Sequence, residues 1–214
     1  MRVLVAEDEK RMAAALVALL KQEKYDADHM ADGASALAAL ETGIYDIGVS
    51  GFTVTPERQE SVLFSKVYYM EGIVIVVPEG SAIAGPNDLQ GKLIAVQSGT
   101  TAEALCVEQG YTINAYKQNV DAELALINGS VDAWVIDKGV ASRMVAAYNE
   151  EAMGAKLSML AEPLTEEPYA FAFALGSDDL ANAVNAVLEE MITSGEMAQI
   201  FADNGNDAYI APEE

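Results

Sequence analysis

Short apolar runs alternate with amphipathic segments along this chain, and this alternation restricts the fold class. Residues 3–6 and 72–77 are continuously apolar over the length of a buried strand. Apolar side chains recur at helical spacing between about residues 9 and 23. Strands that alternate with helices build open, mostly parallel sheets. The sequence therefore predicts an α/β protein.

The order of the predicted elements indicates two lobes. The first fifty residues predict a β-α-β-α-β unit, and a second α/β series follows the strand at 72–77. A strand at 169–175 and helices at 178–193 and 196–202 are left over at the end. We predict one lobe from residues 1–72 plus 171–214 and another from 73–170, joined by two crossovers. A cleft between lobes is a natural ligand site.

The charge balance excludes several classes of function. The 214 residues include 12 Lys and Arg against 34 Asp and Glu, for a net charge of −22. Nucleic acids and anionic membrane surfaces are disfavoured because both need clustered cations. Residues 1–45 carry 5 basic and 8 acidic residues (net −3), and residues 46–214 carry 7 and 26 (net −19). This shift in composition is consistent with a boundary of origin or with sampling.

Other features of the sequence indicate the cellular compartment and exclude certain cross-links. Cys106 is the single cysteine, which excludes an intrachain disulfide and a cysteine-based zinc cluster. No apolar run approaches the ~20 residues that span a bilayer, so we predict no membrane insertion. The start becomes acidic too soon for a secretory signal, and as encoded the chain is expected to be cytoplasmic.

Three stretches in residues 1–46 resemble the response-regulator receiver, a flavodoxin-like domain of the chemotaxis type. They are Arg2-Val3-Leu4-Val5-Ala6-Glu7-Asp8-Glu9, Ala31-Asp32-Gly33-Ala34-Ser35-Ala36-Leu37 and Gly43-Ile44-Tyr45-Asp46. The resemblance implies an acidic pair, here Glu7 and Asp8, that holds Mg²⁺ beside a phosphoryl-accepting aspartate. By register that aspartate falls on Gly51, and the receiver's later Thr and Lys motifs are absent. We expect phosphotransfer to be lost. Glu7 and Asp8 then hold a cation weakly or form a solvated loop, because two carboxylates are an incomplete shell.

From about residue 46 onward the chain resembles type-3 periplasmic solute-binding proteins for polar amino acids, which serve ABC transporters. The motifs, in family order, are Val49-Ser50-Gly51-Phe52-Thr53-Val54-Thr55-Pro56-Glu57-Arg58, Phe64-Ser65-Lys66-Val67-Tyr68-Tyr69, Pro86-Asn87-Asp88-Leu89-Gln90-Gly91-Lys92, Val96-Gln97-Ser98-Gly99-Thr100-Thr101-Ala102-Glu103, Leu126-Ile127-Asn128-Gly129 and Val131-Asp132-Ala133-Trp134-Val135-Ile136-Asp137. The resemblance implies a two-lobe, type II binding-protein architecture. Each lobe is then an open parallel, flavodoxin-like sheet.

The same resemblance implies a set of ligand-binding residues. They are Ser50, Gly51, Thr53, Arg58, Ser98, Thr100, Thr101 and Asp137. By motif position Arg58 holds the α-carboxylate, a task that suits a bidentate guanidinium. The amides at the helix start after Ser98 meet the same carboxylate. Asp137 pairs with the α-ammonium. No catalytic residue and no cofactor is predicted.

Each of these residues also has a purely structural interpretation. Arg58 could be a surface residue at a helix start, and residues 98–101 an ordinary helix N-terminus. Asp137 could be the N-cap of the helix that begins at Lys138. Ser50, Gly51 and Thr53 could belong to a turn.

The two resemblances meet inside one β-α-β-α-β unit, which leads to the hypothesis of a chimera. A receiver fragment would replace the opening of lobe one, by design or by natural fusion. The loop after the first strand, where the binding-protein family often places an aromatic side chain, is here Ala6-Glu7-Asp8-Glu9-Lys10. We expect weakened affinity, because losing an aromatic wall costs on the order of 1–3 kcal/mol.

Several functions compete. The favoured one is a monomeric protein that binds a free amino acid in the interlobe cleft without chemical change. The alternatives are a folded scaffold, engineered to test fold interchange, that has lost binding, and a phosphoreceiver, which the missing aspartate disfavours. A dehydratase-like enzyme lacks a supporting acid/base group. The acidic envelope favours a zwitterionic or cationic amino acid. Docking to a permease is doubtful, because the docking surface includes the replaced segment.

Overall fold

A computed structural model describes residues 1–204, which form two compact units. Within the described residues, lobe one is Met1–Met70 together with the chain from Glu167 onward, and lobe two is Glu71–Glu166. The last ten residues of the predicted first lobe lie outside the described residues. The chain passes from lobe one to lobe two and back, so it crosses twice.

Strands and helices alternate through most of the described chain. In chain order they are β1 (Arg2–Ala6), α1 (Lys10–Gln22), β2 (Asp26–Met30), α2 (Gly33–Glu41), β3 (Ile47–Thr53), α3 (Pro56–Gln59), β4 (Val62–Phe64), β5 (Tyr69–Glu71), β6 (Ile73–Pro78), a 3-10 turn (Pro86–Leu89), β7 (Leu93–Gln97), α4 (Thr101–Glu108), β8 (Thr112–Tyr116), α5 (Asn119–Ile127), β9 (Ala133–Asp137), α6 (Lys138–Glu151), β10 (Leu157–Met159), β11 (Glu167–Ala174), α7 (Asp178–Ser194) and α8 (Glu196–Asp203). This order confirms the predicted α/β class. None of the helices within residues 1–204 has the length and hydropathy to cross a bilayer.

The sequence predicted a parallel sheet in lobe one, but this sheet is mixed. Its order is β2-β1-β3-β11-β4, and β1 runs parallel to β2 and β3. β11 runs antiparallel to β3 and β4, and β5 also pairs with β11 as the sixth strand of this sheet. The chain leaves this lobe after β4 and returns at the start of β11. β11 therefore enters the sheet at the edge where β4 ends, and it must run in the opposite direction.

Lobe two has the same kind of sheet, again partly antiparallel where a parallel one was predicted. The order is β10-β6-β9-β7-β8. β7 is parallel to β8 and β9, whereas β6 is antiparallel to β9 and to β10. Every side chain from Ile73 to Val77 is buried, as expected for a central strand covered on both faces. Trp134, within β9, has no exposed surface.

One strand is longer than its sequence pattern indicates. The predicted β-α-β-α-β unit ends with residue 50, but β3 continues to Thr53. The extension is held by β11, with Tyr169 opposite Thr53 and Ala170 opposite Phe52. A register shift between Ala170 and Ala172 accommodates the irregular backbone of β3. Pairing with β11, more than a hundred residues later in the chain, therefore extends β3 beyond Gly51.

Candidate functional site

The four candidate residues of lobe one lie at the end of β3 and on the short helix that follows. Ser50, Gly51 and Thr53 belong to β3, and Arg58 belongs to α3. α3 begins with Pro56 in its first turn, and the Thr55 hydroxyl caps it by accepting from the Arg58 amide at 3.2 Å. The predicted turn interpretation is therefore wrong, because all three residues belong to strand β3 and Thr53 pairs with Tyr169.

The Arg58 side chain is tied back to the strand. Its Nη1 donates to the main-chain oxygen of Thr53 at 3.0 Å, and the group is partly buried. Thr53 itself is 5% exposed. A guanidinium fixed through one nitrogen keeps its other donors in a defined direction. This geometry favours an anion-binding role over that of a mobile surface arginine.

Ser50 has an unusual backbone. Its φ of +135° lies in a region that side-chain-bearing residues seldom adopt. The Ser50 carbonyl accepts a hydrogen bond from the Tyr68 hydroxyl at 3.0 Å. Tyr68 stacks on Phe171 with ring centroids 4.8 Å apart, and burial raises the pKa of Tyr68 to about 12. Tyr68 therefore supports the strained peptide beside Gly51, a role that its motif alone did not reveal.

Gly51 lies directly against an aromatic ring. A Cβ at this position would come within 2.8 Å of Tyr169 Cε2 and 3.0 Å of its Cζ. An aspartate, the residue that a receiver would carry here, cannot be added without moving the ring. The local packing therefore agrees with the expected loss of phosphotransfer.

The acidic loop after β1 follows a parallel neighbour of β3, so both lie at the same edge of the sheet. The Glu7 carboxylate accepts from the Glu9 amide at 3.0 Å. Glu9 in turn caps α1, accepting from the Arg11 and Met12 amides at 2.9 and 2.7 Å. Across residues 1–204, no three or more His, Cys, Asp or Glu side chains are placed to hold a metal ion. These contacts favour the loop interpretation of Glu7 and Asp8.

The candidate residues of lobe two lie at one edge of its sheet. Ser98, Thr100 and Thr101 follow β7, and Asp137 ends β9. β7 and β9 are parallel neighbours, with Ile94 opposite Ala133. Because neighbouring parallel strands end at the same edge, the start of α4 and Asp137 both lie at that edge.

Much of the helix start after β7 is occupied by local contacts. The Thr100 hydroxyl donates to the Gln97 carbonyl at 2.8 Å and accepts from the Glu103 amide at 3.2 Å. Glu103 reaches back to the Gly99 amide at 2.7 Å. Thr100 is therefore an N-cap, as its structural alternative proposed. Thr101 and Ala102 hold the first two helical positions, whose amides have no acceptor within an α-helix.

Asp137 directly precedes α6, but its carboxylate does not bond the start of the helix. Within the described chain its side chain makes no capping hydrogen bond to the helix. Instead, the amide of Gly139 donates to the Glu71 carboxylate at 3.0 Å. Asp137 therefore holds the N-cap position of α6, as its structural alternative proposed, but without a capping hydrogen bond to its side chain. Glu71 was missed from the sequence, although it is the one acidic residue between Tyr69 and the apolar run at 72–77.

Lobe one also contains an apolar cavity of about 570 Å³. Its described lining includes Tyr68, Phe171 and Phe201 and none of the candidate residues. An apolar lining cannot recognise the two charged groups of a free amino acid. This cavity is therefore distinct from the candidate site.

Comparisons with known proteins place the chain in a family. A model of the bacterial extracellular solute-binding proteins, family 3, matches residues 12–206. The chain is 28% identical over 165 residues to the ABC transporter glutamine-binding protein GlnH of Bacillus subtilis (strain 168), covering 76% of this chain and 58% of that protein. It is 31% identical over 189 residues to the arginine-binding extracellular protein ArtP of the same organism, covering 86% and 72%. The first curated relatives are thus matched over 58% to 64% of their length.

A solved structure extends the likeness to the whole fold. The arginine-, lysine-, histidine-binding protein ArtJ of Geobacillus stearothermophilus is 27% identical and has a TM-score of 0.79. The alignment covers 100% of this chain and 96% of that one. This likeness confirms the predicted two-lobe, type II binding-protein fold.

The same comparisons bear on the predicted receiver fragment. The family match begins at residue 12 and so includes most of residues 1–46. It supports a binding-protein assignment for that segment and gives no support to a receiver origin. On the match to residues 12–206 and on its fold, this chain belongs to the bacterial extracellular solute-binding proteins of family 3.

Proposed function

We propose that this chain binds a free amino acid reversibly and without changing it chemically. The observation that carries the proposal is a charge of each sign near a strand end, with Arg58 fixed to Thr53 at the end of β3 in lobe one and Asp137 at the end of β9 in lobe two. A zwitterion needs both kinds of partner. The names of relatives that bind glutamine and arginine support the same ligand class.

The eight candidate residues then take separate roles. Arg58, the Ser98 hydroxyl and the amides of Thr101 and Ala102 bind the α-carboxylate, since a guanidinium and helix N-terminal amides both favour anions. Asp137 accepts from the α-ammonium. Ser50, Gly51 and Thr53 supply main-chain and hydroxyl contacts from β3. Thr100 acts through its cap, which fixes the direction of the α4 amides.

The charge of the chain indicates which amino acids are favoured. The net charge is −22, and the loop after β1 adds three carboxylates at the edge of lobe one that carries Arg58. This field disfavours a ligand with net negative charge. We therefore propose a zwitterionic or cationic amino acid, held weakly because the aromatic wall expected after β1 is missing.

A second candidate is a folded chain that has lost amino-acid binding. The sequence of residues 1–46 supports it, since the loop after β1 reads as a receiver's acidic pair. The chimera, designed or natural, stays a hypothesis based on that sequence. A phosphoreceiver is disfavoured by Gly51 and its contact with Tyr169. Impaired docking to a permease, a monomeric state and a cytoplasmic location stay predictions; the family itself is described as extracellular.

A thermal-shift screen against the twenty amino acids separates the two candidates. A ligand that binds only the folded state at a hundred times its Kd adds about 2.7 kcal/mol to the free energy of unfolding. We expect a rise in Tm with at least one neutral or cationic amino acid. A Tm that no amino acid raises at millimolar concentration would favour the scaffold.

A further inference from the structure

Glu71, the first residue of lobe two, has a buried carboxylate that caps a helix distant in sequence. It is 9% exposed. One carboxylate oxygen accepts from the Gly72 amide at 3.0 Å, and the other accepts from the Gly139 amide at 3.0 Å. A further main-chain bond fixes the helix start beside it, from the Lys138 amide to the Gly72 carbonyl at 2.7 Å. The Glu71 carboxylate is thus built into the junction between β6 and α6.

The Gly139 amide donates to Glu71, and it is also an amide from which the Asp137 carboxylate could accept. Asp137 is the residue before α6, and Gly139 is the second residue of that helix. An aspartate before a helix ordinarily accepts from the amide of the second or third helical residue. Here that position is filled from Glu71 instead, and within the described residues the Asp137 side chain does not cap the helix.

We propose that Glu71 is a positioning residue for ligand binding, because it keeps the Asp137 carboxylate from folding back onto the start of α6. The inference rests on the proposed function, in which Asp137 accepts from the α-ammonium. Without Glu71, the Gly139 amide loses its acceptor, and Asp137 is the nearest acidic residue in sequence that can replace it. A carboxylate engaged in this way binds the ammonium less well.

Gly139 is part of the same arrangement. A Cβ at this position would lie 2.5 Å from the Glu71 Oε2 atom. The Gly139→Ala variant would therefore displace the Glu71 carboxylate while leaving every charge in place. Alanine is also a better helix former than glycine, so this variant should not lower helix stability through propensity. Gly139→Ala therefore disrupts the contact between Gly139 and Glu71 by adding an atom at Gly139, whereas Glu71→Ala disrupts it by removing the carboxylate.

The test compares ligands that differ only in the α-amino group. L-arginine and L-glutamine are titrated by NMR against the wild type, Glu71→Ala, Glu71→Gln and Gly139→Ala, together with the analogues of both that lack the α-amino group. Asp88→Asn is the matched control, since Asp88 also accepts a main-chain amide in lobe two, from Ala84 at 2.9 Å. Urea unfolding of each variant reports its stability separately.

We expect Glu71→Ala and Gly139→Ala to weaken binding of the amino acids about fivefold or more, with little change for the analogues. Glu71→Gln keeps an acceptor oxygen and should restore part of the affinity. Asp88→Asn should match the wild type. Equal losses for amino acids and analogues, or wild-type affinity in both alanine variants, would overturn this inference alone. A wild type that binds none of the twenty amino acids, titrated in the same way, would overturn the proposed function and this inference with it.

Discussion

The Arg58 guanidinium donates from Nη1 to the main-chain oxygen of Thr53 at 3.0 Å, which ties the short helix α3 to the end of β3. The contact spans only five residues, but it depends on β3 continuing to Thr53. That continuation depends in turn on β11, which pairs with Thr53 through Tyr169. The orientation of Arg58, the residue proposed to bind the ligand's carboxylate, is therefore set by a strand from the other end of the chain.

Arg58→Ala should abolish measurable amino-acid binding. Removing one partner of a charge pair with a bound carboxylate costs about 2–5 kcal/mol in binding free energy. Arg58→Lys should recover little, because an ammonium cannot make the bidentate contact. The measurement is a calorimetric titration with the amino acid that binds the wild type. Arg143→Ala, at an exposed position on α6, is the control. Unchanged affinity in Arg58→Ala would refute the site.

Gly51→Asp should destabilise lobe one rather than restore a receiver. The new Cβ would come within 2.8 Å of the Tyr169 ring, and such overpacking costs about 1–3 kcal/mol. Urea unfolding measures the loss, and mass spectrometry after incubation with acetyl phosphate and Mg²⁺ reports any phosphoryl adduct. Gly154→Asp is the control, since a Cβ there meets nothing within 4 Å. Wild-type stability together with an adduct would contradict the account.

Tyr68 should make stability fall at alkaline pH. Burial raises the pKa of Tyr68 to about 12, so the folded state retains the phenol proton longer than the unfolded chain does. The stabilisation is complete below pH ~10, where an unfolded tyrosine ionises, and is lost as the pH rises through about 12. Tyr68→Phe should remove this pH dependence. It should also cost about 1 kcal/mol at neutral pH through loss of the bond to Ser50.

Urea unfolding across that pH range measures both effects of Tyr68. A wild type and a Tyr68→Phe variant that lose stability in parallel above pH ~10 would contradict the assignment, because another group would then be responsible.

Asp32 should act at the opposite end of the pH scale. Its pKa lies below the ordinary value, first because the Ser35 hydroxyl donates to the carboxylate, and then because the Ser35 and Ala34 amides do so at the start of α2. Because its pKa is lowered, the ionised Asp32 carboxylate stabilises the fold at pH values above the ordinary pKa of the group. This contribution is lost as the pH falls through the lowered pKa. Asp32→Ala should cost about 1 kcal/mol at pH 7. The difference from wild type should shrink in acid, which unfolding at pH ~3 measures; a constant difference would contradict this.

The parts of the fold predicted correctly are those that local pattern determines. The apolar run before Pro78 and the alternation with helices indicated buried strands, and Ile73 to Val77 are buried. Trp134 lies within strand β9 and has no exposed surface. These features depend on neighbours within a few residues, so the sequence displays them directly.

The features that were missed depend on contacts between distant residues. No local signal shows that β11 enters lobe one between β3 and β4 and runs antiparallel to them. The same holds for Glu71, whose carboxylate accepts from the amide of Gly139, a residue 68 positions away. The candidate residues could be named from motifs, but which of them are committed to capping required the structure.

Calorimetric titration of the wild-type chain with each of the twenty amino acids tests the central claim most directly. The account predicts saturable heat for at least one neutral or cationic amino acid, with weak affinity, and none for aspartate or glutamate at the same concentration. Silence toward all twenty at millimolar concentration would contradict it.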